Sequence, residues 1–197
     1  MTRRLATIGA NAMFVFSVGG CASPSTHFYT LSTQAEETPT PMPVSVSVGP
    51  VRIPVIVDRM EFVLSIGPNE VRLDEFNRWA SPLRDNISRA VVGDLVRLLG
   101  SGRITLTADP SGSVPDYRAT IEVQHFESAP GQGVNLDAVW IVTRMADGVI
   151  QTGRTTVHQA VQRNDPGALA AAHSRTVAML SADIATAIRS LYGTAKS

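Results

Sequence analysis

Cys21 is the only cysteine of this 197-residue chain, and the residues before it favour one covalent reaction at its thiol. The chain begins with a basic pair, Arg3-Arg4, continues as a mostly apolar stretch over 5–18 and ends in Gly19-Gly20. A basic start, an apolar middle and small residues before a cleavage point are the three parts of a secretory signal peptide. The stretch is too short and too interrupted for a transmembrane helix, which needs about 20 apolar residues. The cysteine would therefore become the first residue of a secreted protein.

Val18-Gly19-Gly20-Cys21 also resembles the lipobox of bacterial lipoproteins, in which an aliphatic residue and two small residues precede the cysteine. The resemblance implies cleavage after Gly20. It also implies that Cys21 carries a covalent N-acyl diacylglycerol group with fatty acyl chains such as palmitate. Each buried methylene contributes about 0.8 kcal/mol, so two or three acyl chains would hold the mature protein firmly to a membrane. Ala22 follows the cysteine in place of an aspartate, which favours the periplasmic face of the outer membrane over the inner membrane.

The remaining residues give little support for catalysis, metal binding or nucleic-acid binding. The sequence contains no nucleophile elbow and no phosphate-binding loop. Lysine plus arginine equal aspartate plus glutamate, at 17 each, which gives no electrostatic case for a nucleic-acid partner. We expect His173 to form a hydrogen bond at the edge of a helix. None of the histidines has the spacing of a zinc site: His27, His125, His158 and His173. We therefore expect a protein that is not an enzyme and has no cofactor besides the covalent lipid.

Composition divides the chain into four parts. Residues 1–20 are the lipoprotein signal peptide, and residues 194–197 are a short tail. Residues 21–43 are predicted to be the lipidated N-terminus and a flexible tether, because prolines alternate with small polar residues in this stretch. Residues 44–193 are predicted to form one domain, since they can build a core and contain no second run of membrane-spanning length.

Apolar and polar residues alternate in several segments of the domain, which predicts strands. Three of them, 116–126, 134–142 and 149–161, are joined by short loops and should form an antiparallel meander. The other predicted strands are an edge strand over 27–31 and strands over 44–57, 61–66, 70–73 and 103–106.

Two amphipathic helices are predicted from their start signals and their apolar spacing. Ser81-Pro82 opens the first, which has apolar residues every three or four positions, and Gly100 is its expected C′ residue. Asp165-Pro166 opens the second, whose alanines allow close packing on a sheet. The predicted fold is α+β, a mostly antiparallel sheet with two amphipathic helices packed on one face.

Two elements near the first helix carry a family resemblance. Asp58-Arg59 follows a proline-containing strand, and Trp79-Ala80-Ser81-Pro82-Leu83 opens the helix. Phe28-Tyr29-Thr30-Leu31 after the lipobox, Val123-Gln124-His125-Phe126-Glu127 and the alanine-rich last helix are further matches. These residues resemble the ABC-type transport auxiliary lipoproteins, the PqiC-type family, from Cys21 to about Leu191.

The resemblance implies an outer-membrane-anchored accessory lipoprotein of a lipid transport system that spans a Gram-negative envelope. The implied partners are an MCE-domain tunnel protein and ABC-type transport components of the inner membrane, while the lipid anchor contacts the membrane itself. The protein would hold no nucleotide site. A homo-oligomer is compatible with the task of capping a tunnel.

Phe76, Trp79, Leu83 and Arg59 have two interpretations. Trp79 could pack under the start of the first helix and fix its entry angle, as in a hydrophobic staple. Alternatively, the four residues could contribute to a partner or protomer interface, where tryptophan and arginine are frequent anchors.

Other functions remain open at this point. One is a lipoprotein that assists outer-membrane assembly, as a plug of a lipopolysaccharide translocon or as a secretin partner. Another is an envelope hydrolase. A third is direct lipid binding in a cleft between sheet and helices, against which the tightly packing alanines of the last helix argue.

Overall fold

The computed structural model describes residues 25–38, 40–106, 113–163 and 165–195. Cys21 and the predicted signal peptide, residues 1–20, lie outside the described residues. In chain order the described elements are β1 (His27–Tyr29), β2 (Val46–Arg52), β3 (Glu61–Gly67), β4 (Glu70–Trp79), α1 (Leu83–Leu99), β5 (Ile104–Leu106), β6 (Tyr117–Ala129), β7 (Gly133–Arg144), β8 (Ile150–Ala160) and α2 (Pro166–Thr194).

All eight strands of the described chain belong to one curled sheet that is organised around β6. β7 pairs along one edge of β6, and β2 and β3 follow one another along its other edge. β5 extends the sheet beyond β2, and β4 and β1 extend it beyond β3. β8 lies on the far side of β7. The predicted meander is confirmed as β6, β7 and β8.

The sheet is mixed, so the prediction of a mostly antiparallel sheet is wrong in this respect. β1 with β4, β2 with β5, β2 with β6 and β3 with β6 pair in parallel. The alternation of side chains shows which face of a strand is buried, but it does not show the direction of the neighbouring strand. Parallel neighbours need a long crossover connection, and α1 lies in the connection from β2 to β5 and β6.

The two helices pack against each other and against the sheet, and a single core lies between them. α1 covers β2 and β5, whereas α2 covers β6, β7 and β8. The α+β class with two helices is therefore confirmed. The innermost side chains come from both helices and the central strands: Val46, Ile87, Leu95, Ala119, Leu136, Leu180 and Ile184.

The helix ends follow the sequence rules with one exception. The Asp165 carboxylate accepts a hydrogen bond from the Gly167 N–H at 3.0 Å and so caps α2 as predicted. Gly100 ends α1 in the left-handed conformation at φ +61°, which glycine adopts without steric cost. Ser81 differs, because no side chain caps α1 and the Ser81 hydroxyl instead accepts a hydrogen bond from Arg89.

The segment before β2 differs from the predicted flexible tether. Residues 31–38 and 40–42, which we call the strap, lie across the helix pair, and three apolar side chains of the strap are buried: Leu31, Ala35 and Met42. Alternating prolines favour extended backbone, but hydrogen bonds to the helices hold that backbone in place. No helix among the described residues is long and apolar enough to cross a membrane.

Candidate functional site

A buried carboxylate fastens the strap to the helices. Asp94 of α1 is completely buried, and its Oδ1 accepts hydrogen bonds from the backbone N–H groups of Gln34 at 2.8 Å and Ala35 at 3.0 Å. Its Oδ2 accepts a third hydrogen bond from the Ser181 hydroxyl of α2 at 3.3 Å. One side chain therefore joins the strap, α1 and α2.

The environment of Asp94 also changes its acidity. Burial raises the pKa of the carboxyl above its ordinary value, because desolvation penalises the charged form. The hydrogen bonds from Ala35, Gln34 and Ser181 and the charge of Arg97 act in the opposite direction. Because the pKa rises overall, desolvation outweighs these favourable interactions. The charged form of Asp94 is therefore energetically costly in the core. The Asp94 carboxylate acts as a structural clamp, and its stability in the core depends on all of its hydrogen-bond donors.

The second half of the strap supplies donors to the last turns of α1. The Thr38 N–H bonds the Arg97 carbonyl at 3.1 Å, and the Met42 N–H bonds the Leu99 carbonyl at 2.8 Å. The Arg97 guanidinium in turn donates to the Ala35 carbonyl at 3.2 Å. Because the last four carbonyls of a helix have no partner within the helix, the strap completes the end of α1.

Two glycines let the strap approach the backbone of α1. A Cβ atom at Gly93 would lie 2.2 Å from Oγ1 of Thr33, and one at Gly100 would lie 2.8 Å from Cα of Pro41. Both distances are too short for non-bonded contact. The strap therefore fits α1 only because these positions lack a side chain.

The chain that precedes the strap is also bonded to the domain. The Tyr29 hydroxyl donates to Oδ1 of Asn77 at 3.0 Å, and the Thr30 hydroxyl donates to Oδ1 of Asn86 at 2.9 Å. The Ser32 N–H donates to the Ser174 hydroxyl of α2 at 3.1 Å. The path toward Cys21 is thus part of the folded domain from Met42 back to β1.

The four residues that the sequence grouped as a partner interface lie in different environments. Trp79 and Leu83 are buried, and the Trp79 ring lies 4.3 Å from the Phe62 ring, centroid to centroid. Trp79 therefore packs in the core at the start of α1, and neither it nor Leu83 has a surface to offer a partner. Phe76 is exposed and Arg59 is half-buried, so an interface role stays a prediction for these two residues alone.

His173 lies in the centre of the core, not at the helix edge that the sequence suggested. Its ring stacks on Phe126 at a centroid distance of 3.9 Å, and its Nε2 is 2.8 Å from the Ser128 hydroxyl. Burial lowers the pKa of His173 to about 3, so the imidazole is neutral at physiological pH.

The Ser128–His173 pair has two of the groups of a catalytic triad, but its setting does not suit nucleophilic catalysis. Nδ1 of His173 has no hydrogen-bond partner within the described part of the chain, so nothing orients the ring as a general base. The adjoining cavity, lined by Phe62, Trp79 and Ser128, has a volume of about 10 Å³, which is room for one water molecule. An ester substrate or an acyl chain could not enter it.

The outer face of the meander carries a polar cluster around Asp137. The Arg154 Nε donates to Oδ1 of Asp137 at 2.7 Å, and the Thr156 hydroxyl donates to the same oxygen at 3.2 Å. His125 lies 3.5 Å from Oδ2. The hydrogen bonds from Arg154 lower the pKa of Asp137 to about 2. In residues 25–38, 40–106, 113–163 and 165–195, no group of three or more histidine, cysteine, aspartate or glutamate side chains could hold a metal ion.

Sequence reasoning missed the strap and its clamp, although one signal was present. Asp94 stands three residues after Val91 and seven after Ile87, on the apolar face of α1. A charged residue at such a position needs a buried partner. Its partners are backbone N–H groups, which carry no sequence signal.

Comparisons with known proteins agree with the resemblance at the level of the family. A family model described as the ABC-type transport auxiliary lipoprotein component matches residues 29–185, which include the last residue of β1, the strap and most of α2. A search among curated proteins gives no match.

Solved structures support the fold. The crystal structure of an uncharacterized protein has a TM-score of 0.69 at 18% identity and covers 84% of this chain and 99% of its own. Protein XCC0632 from Xanthomonas campestris, which is placed in the family DUF330, has a TM-score of 0.64 at 20% identity and covers 80% and 92%. At these identities the likeness concerns the fold alone.

Proposed function

Because this chain belongs to the ABC-type transport auxiliary lipoprotein component family, we propose that it is a lipid-anchored accessory protein of a transport system that moves lipids between the inner and outer membranes. The anchor is an N-acyl diacylglycerol group on Cys21, and the protein resides at the periplasmic face of the outer membrane. Its partners are an MCE-domain tunnel protein and the ABC-type components of the inner membrane. It acts by binding and positioning, without catalysis of its own.

The observation that carries this proposal is the integration of the N-terminal segment into the fold. The Asp94 carboxylate and the last turns of α1 hold the strap, and β1 continues the ordered path to within six residues of Cys21. A long flexible tether would let the domain wander far from the membrane. A fixed segment keeps the domain close to its lipid anchor. A protein that contacts the end of a tunnel at a membrane must stay close to that membrane.

The interior of the domain supports positioning over carriage of lipid. The cavity at Ser128 between sheet and helices is too small for an acyl chain. An open groove of about 600 Å³ lies between the strap and the end of α2, lined by Pro41, Met42 and Tyr192 among others.

A crosslinking pull-down from intact envelopes tests the proposal. The tagged full-length protein should capture an MCE-domain protein. The Cys21→Ser variant lacks the acylated thiol, so it should be absent from the outer-membrane fraction and should no longer capture the MCE-domain protein. Met179→Ala, which keeps the anchor and changes an exposed side chain of α2, should still capture the MCE-domain protein. Capture of an outer-membrane β-barrel or a secretin, with no MCE-domain protein, would contradict the proposal and favour a role in outer-membrane assembly.

A further inference from the structure

The β3–β4 hairpin has an inverted distribution of polar and apolar side chains. Residues that pair directly across an antiparallel ladder share a face of the sheet. Phe62 and Leu64 of β3 face the core, and the β4 residues opposite them are Asp74 and Arg72. The first half of β4 therefore turns charged side chains toward the helix side of the sheet.

The aliphatic residues of β4 lie on the face opposite that of Phe62 and Leu64. Leu73 pairs with Val63, and Val71 pairs with Ser65. Leu73 is 41% exposed and Val71 is 51% exposed. A strand with one wet face normally turns its apolar residues inward. This inverted distribution indicates that another surface covers the outer face of the hairpin and excludes water from it.

β1 extends the same outer face. Phe28 pairs with Arg78, which pairs with Glu61 and forms an ion pair with it at 2.8 Å. Glu61 lies two residues before Val63, so both share the outer face. Phe28 is 62% exposed on this face. We call three residues the apolar ribbon: Phe28, Val71 and Leu73.

The apolar ribbon lies where the chain from Cys21 enters the fold. Six residue steps separate Cys21 from His27, and they span at most about 20 Å when fully extended. β1 runs parallel to β4, so the chain enters β1 from the side on which β4 begins. Leu73 and Val71 lie toward that side. A membrane that holds Cys21 is therefore within reach of the ribbon.

We propose that the apolar ribbon rests on the phospholipid surface into which the Cys21 acyl chains insert, so that the domain meets the membrane in one fixed orientation. This inference rests on the acylation of Cys21 in the proposed function. Between residues 61 and 78 the carboxylates outnumber the guanidinium groups. The contact therefore depends on burial of apolar area and not on attraction to anionic headgroups.

Polar groups occupy much of the rest of the outer face, although Ile141 and Ile150 are also exposed there. On β6, β7 and β8 this face carries the polar cluster of Asp137, Arg154 and His125 and a hydrogen bond from His158 to Asn135. Burial of these groups against lipid would cost their hydration. The lipid contact is thus confined to the ribbon at one end of the sheet.

Site-directed spin labelling of the acylated full-length protein tests this contact. Acylation blocks the only native thiol, so Val71→Cys introduces the single reactive cysteine of the mature chain. Ile150→Cys is the matched control, because Ile150 is 58% exposed on β8, away from the ribbon. The proteins are reconstituted in phosphatidylethanolamine–phosphatidylcholine vesicles. The label at 71 should gain accessibility to oxygen and lose accessibility to a water-soluble nickel complex, whereas the label at 150 should not change.

Two results would overturn the proposal. The label at 71 could stay as accessible to the nickel complex as the label at 150, or it could show dipolar broadening that disappears when labelled protein is diluted with unlabelled protein. The second result would assign the ribbon to a contact between copies of the chain. Mass spectrometry of the same samples separates the two proposals. An unmodified Cys21 would overturn the proposed function. A water-exposed spin label at position 71 on acylated protein would overturn only the ribbon contact. The expected lipid contact should also persist at high salt.

Discussion

Oδ1 of Asp94 accepts a hydrogen bond from the backbone N–H of Gln34 at 2.8 Å, although the two residues are 60 positions apart in the sequence. This contact joins the N-terminal strap to the middle of α1. It turns a segment with the composition of a linker into part of the core, and it fixes where the path to Cys21 leaves the domain.

Asp94→Ala should destabilise the protein by about 2–4 kcal/mol, because it leaves the buried N–H groups of Gln34 and Ala35 without an acceptor. Asp94→Asn keeps one acceptor oxygen and should cost clearly less. Chemical denaturation at neutral pH measures both values. Asp85→Asn, which changes an exposed acid on the same helix, should cost less than about 1 kcal/mol. Equal effects of Asp94→Ala and Asp85→Asn would show that the clamp does not exist.

Gly93→Ala should loosen the strap, because the added Cβ would lie 2.2 Å from Oγ1 of Thr33. Alanine in an exposed helix would otherwise stabilise by up to about 1 kcal/mol, so a loss of stability reports the strap contact itself. Gly193→Ala is the matched control, since Gly193 also lies in a helix and nothing lies within 4 Å of a Cβ at that position. Limited proteolysis with N-terminal sequencing should show earlier cleavage in the strap of Gly93→Ala.

Thr33→Ala should partly rescue Gly93→Ala by removal of the clashing hydroxyl. If the double variant is cleaved as fast as Gly93→Ala, the clash with Thr33 is not the cause. If Gly93→Ala resists proteolysis as well as the wild type, the strap does not lie against α1 as described.

Much of this architecture could be predicted from the sequence, because local patterns carry it. The meander, the two helices, the cap at Asp165 and the glycine end of α1 each follow from spacing within a few residues. β4 is longer than the predicted strand over 70–73, and the Asp74 carboxylate accepts hydrogen bonds from the Phe76 and Asn77 N–H groups where the register against β3 shifts.

The mixed sheet and the strap could not be predicted, because both depend on partners far away in the chain. Val46 pairs with Tyr117 and with Ile104 in parallel, and alternation in β2 is the same for either direction. The strap contacts α1 through backbone groups, and Gly93 admits it without any periodic signal. The burial of Trp79, in contrast, was one of the two interpretations that its position before α1 allowed.

The stability of the protein should decrease as the pH falls from about 6.5 toward 3, in part because of His173. The pKa of its imidazole is lowered from 6.5 to about 3 in the folded state, so the unfolded chain binds more protons across this window. Stability from this group is complete above the unfolded pKa and is lost progressively below it.

His173→Gln removes this titration while it keeps a polar group near Ser128. The variant should be about 1–2 kcal/mol less stable than the wild type at pH 7, and this difference should shrink toward pH 4. Urea denaturation at several pH values measures it. A constant difference between His173→Gln and the wild type at every pH would contradict the neutral, buried state of His173.

Trp79→Ala should cost about 3–5 kcal/mol, because the indole is buried against Phe62 and Phe126. Phe76→Ala, three positions earlier but exposed, should change stability by about 0.5 kcal/mol or less. Thermal unfolding separates the two. If the Trp79→Ala protein melts like the wild type but fails to bind its partner, Trp79 belongs to the partner interface in spite of its burial.

The mass of the mature N-terminal peptide, taken from protein purified out of bacterial envelopes, tests the central claim of a lipid-anchored accessory protein most directly. The peptide should begin at Cys21 and carry the diacylglyceryl group and an N-linked acyl chain. A peptide that retains residues 1–20, or one that begins at an unmodified Cys21, would contradict it.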